Sequence, residues 1–272
     1  MVNKVAFIGA GSMAEAIIAG MINKNFLKNE QIYVTNKENE ARLEELKTKY
    51  RIIGHPDKKE VIEGADIVVL ATKPIDMRSA IEDSKRFIKD DQLVISVVAG
   101  ISTEYIESNI GKDVAVIRAM PNTSATIGYS ATAITKGKFA SDEDIQLATT
   151  LFEAIGTVSV VAEEKMHIVT GISGSGPAYV YYLVEAMEKA AKEEGLPDDV
   201  AKQLITQTII GAGHMLKYAK EPTSVLRENV TSPNGTTAAG LRTLNEYNFL
   251  EAVINCVKSA TKRSEELGKQ LS

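Results

Sequence analysis

Near its amino terminus the chain reads Lys4-Val-Ala-Phe-Ile-Gly-Ala-Gly-Ser-Met-Ala14, and this stretch decides the fold. Its apolar first half is typical of a buried strand, and helical spacing of apolar residues follows over 12–22. Gly9 allows a tight turn, Gly11 lets a pyrophosphate approach the backbone, and Ala14 lets the helix meet the strand. The sequence therefore predicts a dinucleotide-binding turn, with candidate contacts at Gly9, Ala10, Gly11, Ser12 and Met13.

The same alternation of short apolar runs and helical patterns continues along the first part of the chain. Strands alternating with helices of this length predict a parallel, right-handedly wound sheet. We expect this Rossmann-like α/β domain to cover residues 1–162. The predicted strands are 4–9, 32–34, 66–71, 93–98, 114–118 and 158–161, with helices at 12–22, 38–50 and about 75–88.

After Ala162 the pattern is helical only. Long helices are predicted at 175–194, 198–218 and 249–267, which makes residues 163–272 an all-α domain. Its helices are so apolar that a second subunit is the expected partner. The predicted architecture is a doubly wound α/β domain followed by an all-α dimerisation domain.

Composition excludes several functional classes. The chain has 272 residues, 44% of them hydrophobic and 25% charged, with a net charge of −5, which argues against nucleic-acid binding. No uncharged apolar run approaches the roughly 20 residues that span a bilayer. The amino terminus lacks a signal-peptide pattern, and we expect a cytoplasmic protein. Cys256 is the single cysteine, so no intramolecular disulfide is possible and a buried thiol is expected. His55, His167 and His214 lack metal-ligand spacing, and no metal is expected.

The end of the second strand bears on the choice of coenzyme. It reads Val34-Thr-Asn-Lys37, without the carboxylate that NAD sites usually place against the ribose 2′-hydroxyl. A neutral amide beside a cation suits a 2′-phosphate, so Asn36 and Lys37 favour NADPH, with NADH as the alternative coenzyme. A solvated charge at a helix start is the other interpretation of Lys37.

Two further strand ends should lie against the dinucleotide, because ligands of wound sheets bind at the carboxyl edge. The first is Ala71-Thr72-Lys73-Pro74, where Lys73 is a coenzyme contact, a structural residue or a catalytic group. The second is Arg118-Ala-Met-Pro-Asn122, where Met120 and Asn122 are candidates to reach the nicotinamide and Arg118 is expected to be a buried hydrogen-bonding residue.

Two glycine-rich stretches in the second half predict a site for a small anion. They are Thr170-Gly-Ile-Ser-Gly-Ser-Gly-Pro-Ala-Tyr-Val180 and Val230-Thr-Ser-Pro-Asn-Gly-Thr-Thr237. Each places small residues and backbone N–H groups ahead of a helix, which attracts anions without a charged side chain. The candidate substrate contacts are Ser175, Ser232, Gly235, Thr236 and Thr237.

These motifs together resemble the pyrroline-5-carboxylate reductase family over essentially the whole chain. The resemblance is carried by residues 9–14, 71–74, 118–123, 173–178 and 231–237, in that order. It implies NAD(P)H-dependent reduction of 1-pyrroline-5-carboxylate to proline, and a dimer through the helical domain, often assembled into a decamer. It also implies that Thr237 hydrogen-bonds the ring nitrogen of the substrate and that Asn229 contacts the nicotinamide carboxamide.

The chain departs from the family pattern at two positions. Asn234 replaces the first glycine of the usual Ser-Pro-Gly-Gly, and asparagine tolerates the left-handed backbone that this turn needs. His167 stands where many relatives have an acidic residue; we expect it in the first turn of a helix, with a titrating role as the alternative.

Two other functions compete with this one. A β-hydroxyacid dehydrogenase shares the two-domain plan, but those enzymes have a lysine as acid and base where this chain has Val180. A catalytically silent NADP-binding regulator is the other alternative, which the intact Ser232, Gly235 and Thr237 disfavour.

Overall fold

The computed structural model describes residues 2–36 and 39–271. Its strands form one eight-stranded sheet in the order β3-β2-β1-β4-β5-β6-β7-β8. The order reverses next to β1, since β2 lies on one side of it and β4 on the other. The strands are β1 (Val5–Ile8), β2 (Ile32–Thr35), β3 (Ile53–Gly54), β4 (Ile67–Leu70), β5 (Leu93–Ser96), β6 (Ala115–Met120), β7 (Ser130–Lys136) and β8 (Gly156–Val160).

Helices connect the strands and then make up the second half of the described chain. Those of the first half are α1 (Ser12–Asn23), α2 (Glu40–Tyr50), α3 (Lys58–Ile62), α4 (Met77–Ser84), α5 (Thr103–Ile110) and α6 (Asp142–Glu153). Those of the second half are α7 (Met166–Val169), α8 (Gly176–Glu193), α9 (Asp198–Tyr218), α10 (Thr223–Asn229), α11 (Thr236–Glu246) and α12 (Phe249–Leu271).

The prediction of a parallel sheet is confirmed for β1 to β6 and is wrong for β7 and β8, which run in the opposite direction. β7 runs antiparallel to β6, and β8 is parallel to β7. The cause is the short connection 121–129, which lacks the dozen or more residues that a parallel crossover needs. The longer connection from β7 to β8 contains α6 and is long enough for a parallel return.

The core of the first unit lies on both faces of the sheet. Along β1, Val5 and Phe7 belong to one apolar cluster and Ala6 and Ile8 to the other, and all four residues are buried. Helices on both faces explain why the parallel strands read as continuous apolar runs rather than alternating ones.

The chain divides into two compact units, residues 1–177 with 258–272, and residues 178–257. In the second unit, which the structure describes completely, only Ala201 and Ile205 are buried in the single chain. Two buried residues are far too small a core to hold such a unit folded by itself.

Cys256 lies in this second unit and is exposed, so the buried thiol predicted from the sequence is wrong for the single chain. The reason is that the apolar face of α12 is itself uncovered, with Leu250 and Val253 exposed. Within residues 2–36 and 39–271, none of the helices is long and apolar enough to cross a membrane.

Candidate active site

A cavity of about 580 Å³ lies at the carboxyl edge of the sheet, beside the ends of β1, β2 and β4. This is where the strand order reverses, the usual place for a ligand in a wound sheet. The lining residues are Ile8, Gly9, Ala10, Gly11, Ser12, Glu15, Thr35, Asn36, Asn39, Arg42, Lys58, Ala71, Thr72, Lys73, Asp76, Ser79 and Ala80.

The turn between β1 and α1 has the geometry that its glycines suggest. Gly9 has φ of 109°, and a Cβ at this position would overlap the backbone of Ala71. Its N–H donates to the Thr35 carbonyl at 3.0 Å, which ties the turn to the end of β2. Only glycine fits this position, because of both its backbone angle and the close approach of the neighbouring chain.

The amino end of α1 is suited to an anion. Gly11 is the N-cap and no side chain caps the helix there, so its first N–H groups are open to a ligand at the cavity. Gly11 also has open space around its missing Cβ. A dinucleotide pyrophosphate therefore fits this end of the cavity.

The structure brings most of the predicted coenzyme contacts to the cavity. Asn36, Ala71, Thr72 and Lys73 line it together with the glycine turn, whereas Lys37 lies outside the described residues. Pro74, Met13, Met120, Asn122 and Asn229 do not line this cavity.

Two cations in the cavity wall were missed by sequence reasoning. Lys58 is the first residue of α3 and pairs with Asp83 at 2.8 Å. Arg42 lies in the first turn of α2 and donates from Nε to the carbonyl of Ala10 at 3.0 Å. Neither residue belongs to a recognisable sequence motif. They lie near the β1–α1 turn only because the chain folds back towards it after β2, and a sequence pattern does not predict that path.

Arg42 is part of an ionic network that joins α1 to α2. Its guanidinium pairs with Glu15 on α1, and with Glu45 at 2.7 Å. Lys49 and the hydroxyl of Tyr50 also donate to Glu15, at 2.8 and 2.9 Å. Burial alone would raise the pKa of the Glu15 carboxyl, but the hydrogen bonds from Lys49, Arg42 and Tyr50 lower it to about 2.

A second group of predicted residues meets at the end of β6. The Asn122 amide donates to the Ser173 carbonyl at 3.0 Å. Gly174 lies close to Met120, since a Cβ on it would come within 2.7 Å of the Met120 methyl. Residues 170–174 form one π-helical turn, and the Ser175 N–H donates to the Thr170 carbonyl at 2.9 Å. Such wide turns often accompany functional sites.

Arg118 lies on β6, two residues before Met120, and is buried and ion-paired. Its guanidinium contacts Glu163 at 2.6 Å. His167 lies on α7, with Nδ1 at 2.9 Å from the Ser264 hydroxyl. Burial and the nearby Arg118 lower the pKa of His167, so the imidazole is neutral at pH 7.

The second unit contains the other predicted substrate contacts. α11 begins at Thr236 with Gly235 as its N-cap, and no side chain caps it. A Cβ on Gly235 would overlap the Ser232 hydroxyl, and Asn234 has φ of 56°, the left-handed backbone expected at this departure from the family. Asn229 ends α10 in the same unit.

The wound sheet, the glycine turn and the uncapped helix above a cavity of this size define a dinucleotide-binding protein of the oxidoreductase type. Residues 4–100 match the family described as NADP oxidoreductase coenzyme F420-dependent, and residues 163–267 match pyrroline-5-carboxylate reductase dimerisation.

Whole-chain comparison with known proteins shows which oxidoreductases this chain is similar to. Pyrroline-5-carboxylate reductase 2 of Bacillus subtilis is 48% identical over 269 residues, 99% of this chain and 96% of the relative. The NADP-bound pyrroline carboxylate reductase of Plasmodium falciparum superposes with a TM-score of 0.90 at 29% identity, covering 98% of each chain. The Coxiella burnetii pyrroline-5-carboxylate reductase superposes with a TM-score of 0.89 at 33% identity, covering 98% of this chain and 99% of the other. The chain belongs to the pyrroline-5-carboxylate reductase family.

Proposed function

We propose that this protein reduces 1-pyrroline-5-carboxylate to proline with NADPH. The observation that carries the proposal is the cavity at the carboxyl edge of the sheet, with its glycine turn and uncapped helix, in a chain related to these reductases along its whole length. Family membership favours imine reduction over hydroxyacid oxidation, in agreement with Val180 in place of a lysine.

NADPH is the coenzyme that the cavity wall favours. The cavity wall near the end of β2 includes the amide of Asn36 and the cation Lys58. A 2′-phosphate carries about two negative charges, which a lysine ammonium binds as a compact positive charge. We assign Asn36 and Lys58 to the 2′-phosphate, with Lys37 as a further contact. NADH lacks this group and should bind more weakly.

The substrate carboxylate is assigned to the start of α11. Thr236 and Thr237 contribute N–H groups at the positive end of an uncapped helix, and Ser232 adds a hydroxyl. Gly235 is the N-cap, and its own N–H donates to the Ser232 carbonyl at 3.1 Å, so its contribution is the turn that leads into the helix. This arrangement holds one carboxylate without a buried arginine. Ser175 is proposed as a further substrate contact, from its place in the other glycine-rich segment.

Thr237 is proposed as the catalytic residue, because its hydroxyl would hydrogen-bond the ring nitrogen, accepting from it when the imine is protonated. When bound, NADPH would supply the hydride that reduces the C=N carbon, and the ring nitrogen takes its one proton from solvent before the hydride arrives. A protonated imine is already a good hydride acceptor, so the protein contributes mainly alignment and exclusion of water. Met120, Asn122 and Asn229 are assigned to the nicotinamide.

Self-association is supported by the match of residues 163–267 to a dimerisation domain. It is also supported by the second unit, which has only two buried residues in the single chain. Large apolar residues are exposed on its helices, among them Tyr182 (77%), Leu204 (56%) and Leu250 (68%). We propose a homodimer through this unit, and a decamer as the larger assembly. A cytoplasmic location is proposed as well, where a single cysteine stays reduced.

The test is the loss of reduced-coenzyme absorbance with 1-pyrroline-5-carboxylate, with proline identified as the product. The assay is run with NADPH and NADH, on the native chain and on Lys58→Ala. We expect substrate-dependent oxidation that is faster with NADPH, and a selective loss with NADPH in Lys58→Ala. Binding of NADPH without turnover would instead support the silent regulator, and equal effects on both coenzymes would remove Lys58 from the 2′-phosphate.

A further inference from the structure

Glu15 is an unexpected residue at an anion site. It lies in the first turn of α1 and lines the cavity where the uncapped helix would receive a pyrophosphate. Its side chain is only 19% exposed, and with a pKa of about 2 it is ionised at neutral pH. An ionised carboxylate there repels the diphosphate that the helix end attracts, unless another charge cancels it.

Residues of α2 provide that cancelling charge. Arg42 pairs with one oxygen of Glu15, and Lys49 and Tyr50 donate to the other. The Arg42 side chain is 20% exposed, so this pair is screened less than a surface ion pair. Without Arg42, one carboxylate oxygen at the coenzyme cavity would lose its partner.

Arg42 also fixes the backbone of the glycine turn. Its Nε donates to the carbonyl of Ala10, which is joined by a peptide bond to Gly11. In a trans peptide the C=O and the following N–H point in opposite directions. Holding the Ala10 carbonyl towards α2 therefore directs the Gly11 N–H away from α2.

We propose that Arg42 is a positioning residue for the coenzyme diphosphate, acting through the Ala10–Gly11 peptide and by cancelling the charge of Glu15. The proposal rests on the proposed function only in its choice of a dinucleotide. The diphosphate is common to NADPH and NADH, so Arg42 supports both coenzymes equally, whereas Lys58 discriminates between them.

The experiment measures dissociation constants of the full-length protein for NADPH and for NADH, without substrate. Arg42→Ala should weaken both by the same factor, about tenfold, as expected for one hydrogen bond from a charged donor. Arg42→Lys keeps the charge and should recover part of the affinity. At saturating coenzyme, kcat of Arg42→Ala should stay near the native value, a split that general misfolding would not produce.

The charge argument has its own test in the double variant. Glu15→Gln with Arg42→Ala removes both charges and should bind coenzyme more tightly than Arg42→Ala alone. Glu45→Gln is the matched control, because Glu45 pairs with the same guanidinium but does not line the cavity; its coenzyme affinities should be unchanged.

Three results would overturn the proposal. A loss confined to NADPH would make Arg42 a 2′-phosphate contact, and no loss with either coenzyme would remove its role altogether. A double variant that binds no better than Arg42→Ala would refute charge cancellation. The dissociation constants are measured without substrate, so a failure of imine reduction would remove only the kcat comparison and leave the binding results intact. The two proposals therefore fail separately.

Discussion

At the scale of single residues, the candidate sites contain glycines that lie close to other parts of the chain. Gly9 needs both its backbone angle and its close contact with Ala71, while Gly174 and Gly235 lie close to the side chains of Met120 and Ser232. Each holds backbone at a position where a ligand is proposed to bind. The side chains assigned to the reaction can then be few and uncharged. Among them, Thr237 is the one proposed to contact the reacting ring nitrogen.

Replacing Thr237 separates catalysis from coenzyme binding. Thr237→Val keeps the shape of the side chain and removes the hydrogen bond to the ring nitrogen, so kcat should fall by about tenfold, as expected for one hydrogen bond to a charged group. NADPH affinity should stay unchanged. Steady-state kinetics and coenzyme titration measure the two quantities. Thr237→Ser retains the hydroxyl and should keep most of the rate; equal losses in rate and coenzyme affinity would contradict the assignment.

His167 makes stability depend on pH. Burial and Arg118 lower the pKa of its imidazole, against the opposing effect of Glu163 and Glu265; Lys269 also lowers it. The unfolded chain therefore binds a proton more readily than the folded chain, and the free energy of unfolding should fall as pH drops below about 6.5. Urea titrations at pH 7.5 and 5.5 compare the native chain with His167→Asn. The variant should lose less stability over this step, and an equal loss would show that other groups dominate.

At the scale of elements, the sequence predicts the helices and strands that have a clear apolar pattern of their own. It does not predict those whose formation depends on contacts with distant parts of the chain. The helix 198–218 is confirmed at both ends, and β1, β4 and β5 lie where their apolar runs indicate. β7 is not among the predicted strands, because its run Ser130–Lys136 contains one large apolar residue, Ile134. The helix predicted at 75–88 is α4, which ends at Ser84, before the predicted end.

The candidate site divides in the same way. The glycine turn and the residues that follow β4 could be predicted, because a motif fixes them within one strand–turn–helix segment. Arg42 and Lys58 could not, because α2 and α3 reach the cavity only through the order of strands in the sheet. A sequence pattern does not show which charged side chain of an exposed helix will contact a distant turn, as Arg42 contacts Ala10, 32 residues before it.

The packing of α1 against the end of α6 can be tested at Gly20. A Cβ there would overlap the Ile155 side chain and lie 2.9 Å from the Ala154 carbonyl. Gly20→Ala should destabilise the protein by about 1–3 kcal/mol through overpacking, offset by about 1 kcal/mol of helix propensity. A double-mutant cycle with Ile155→Ala, measured by urea unfolding, should give less destabilisation than the sum of the two single changes. Simple additivity would mean that the two elements do not meet in this way.

At the scale of the whole molecule, the two units have unequal means of staying folded. The first has a sheet covered on both faces, with two apolar clusters that need no partner. The second has long helices and only two buried residues in the single chain. Free energy of folding must then come from association, since apolar helix faces gain about 25 cal/mol per Å² only when they are removed from water.

A charged residue on those helix faces should therefore break the assembly. Leu204 and Leu250 lie on α9 and α12 and are 56% and 68% exposed in the single chain. Leu204→Glu and Leu250→Glu would bury an unpaired carboxylate in an interface, which is strongly unfavourable. Light scattering on a sizing column should show the native chain at twice the monomer mass or a higher multiple of it, and both variants shifted towards monomer with a lower midpoint of thermal unfolding.

The matched control is Ile127→Glu, which places the same charge on an exposed apolar residue of the first unit. It should leave the mass unchanged. The native midpoint should rise with protein concentration, because association stabilises the folded chain by mass action, and this dependence should vanish in Leu204→Glu. A native chain that stays monomeric, with a midpoint independent of concentration, would require the second unit to be stable with two buried residues, and the association argument would then be wrong.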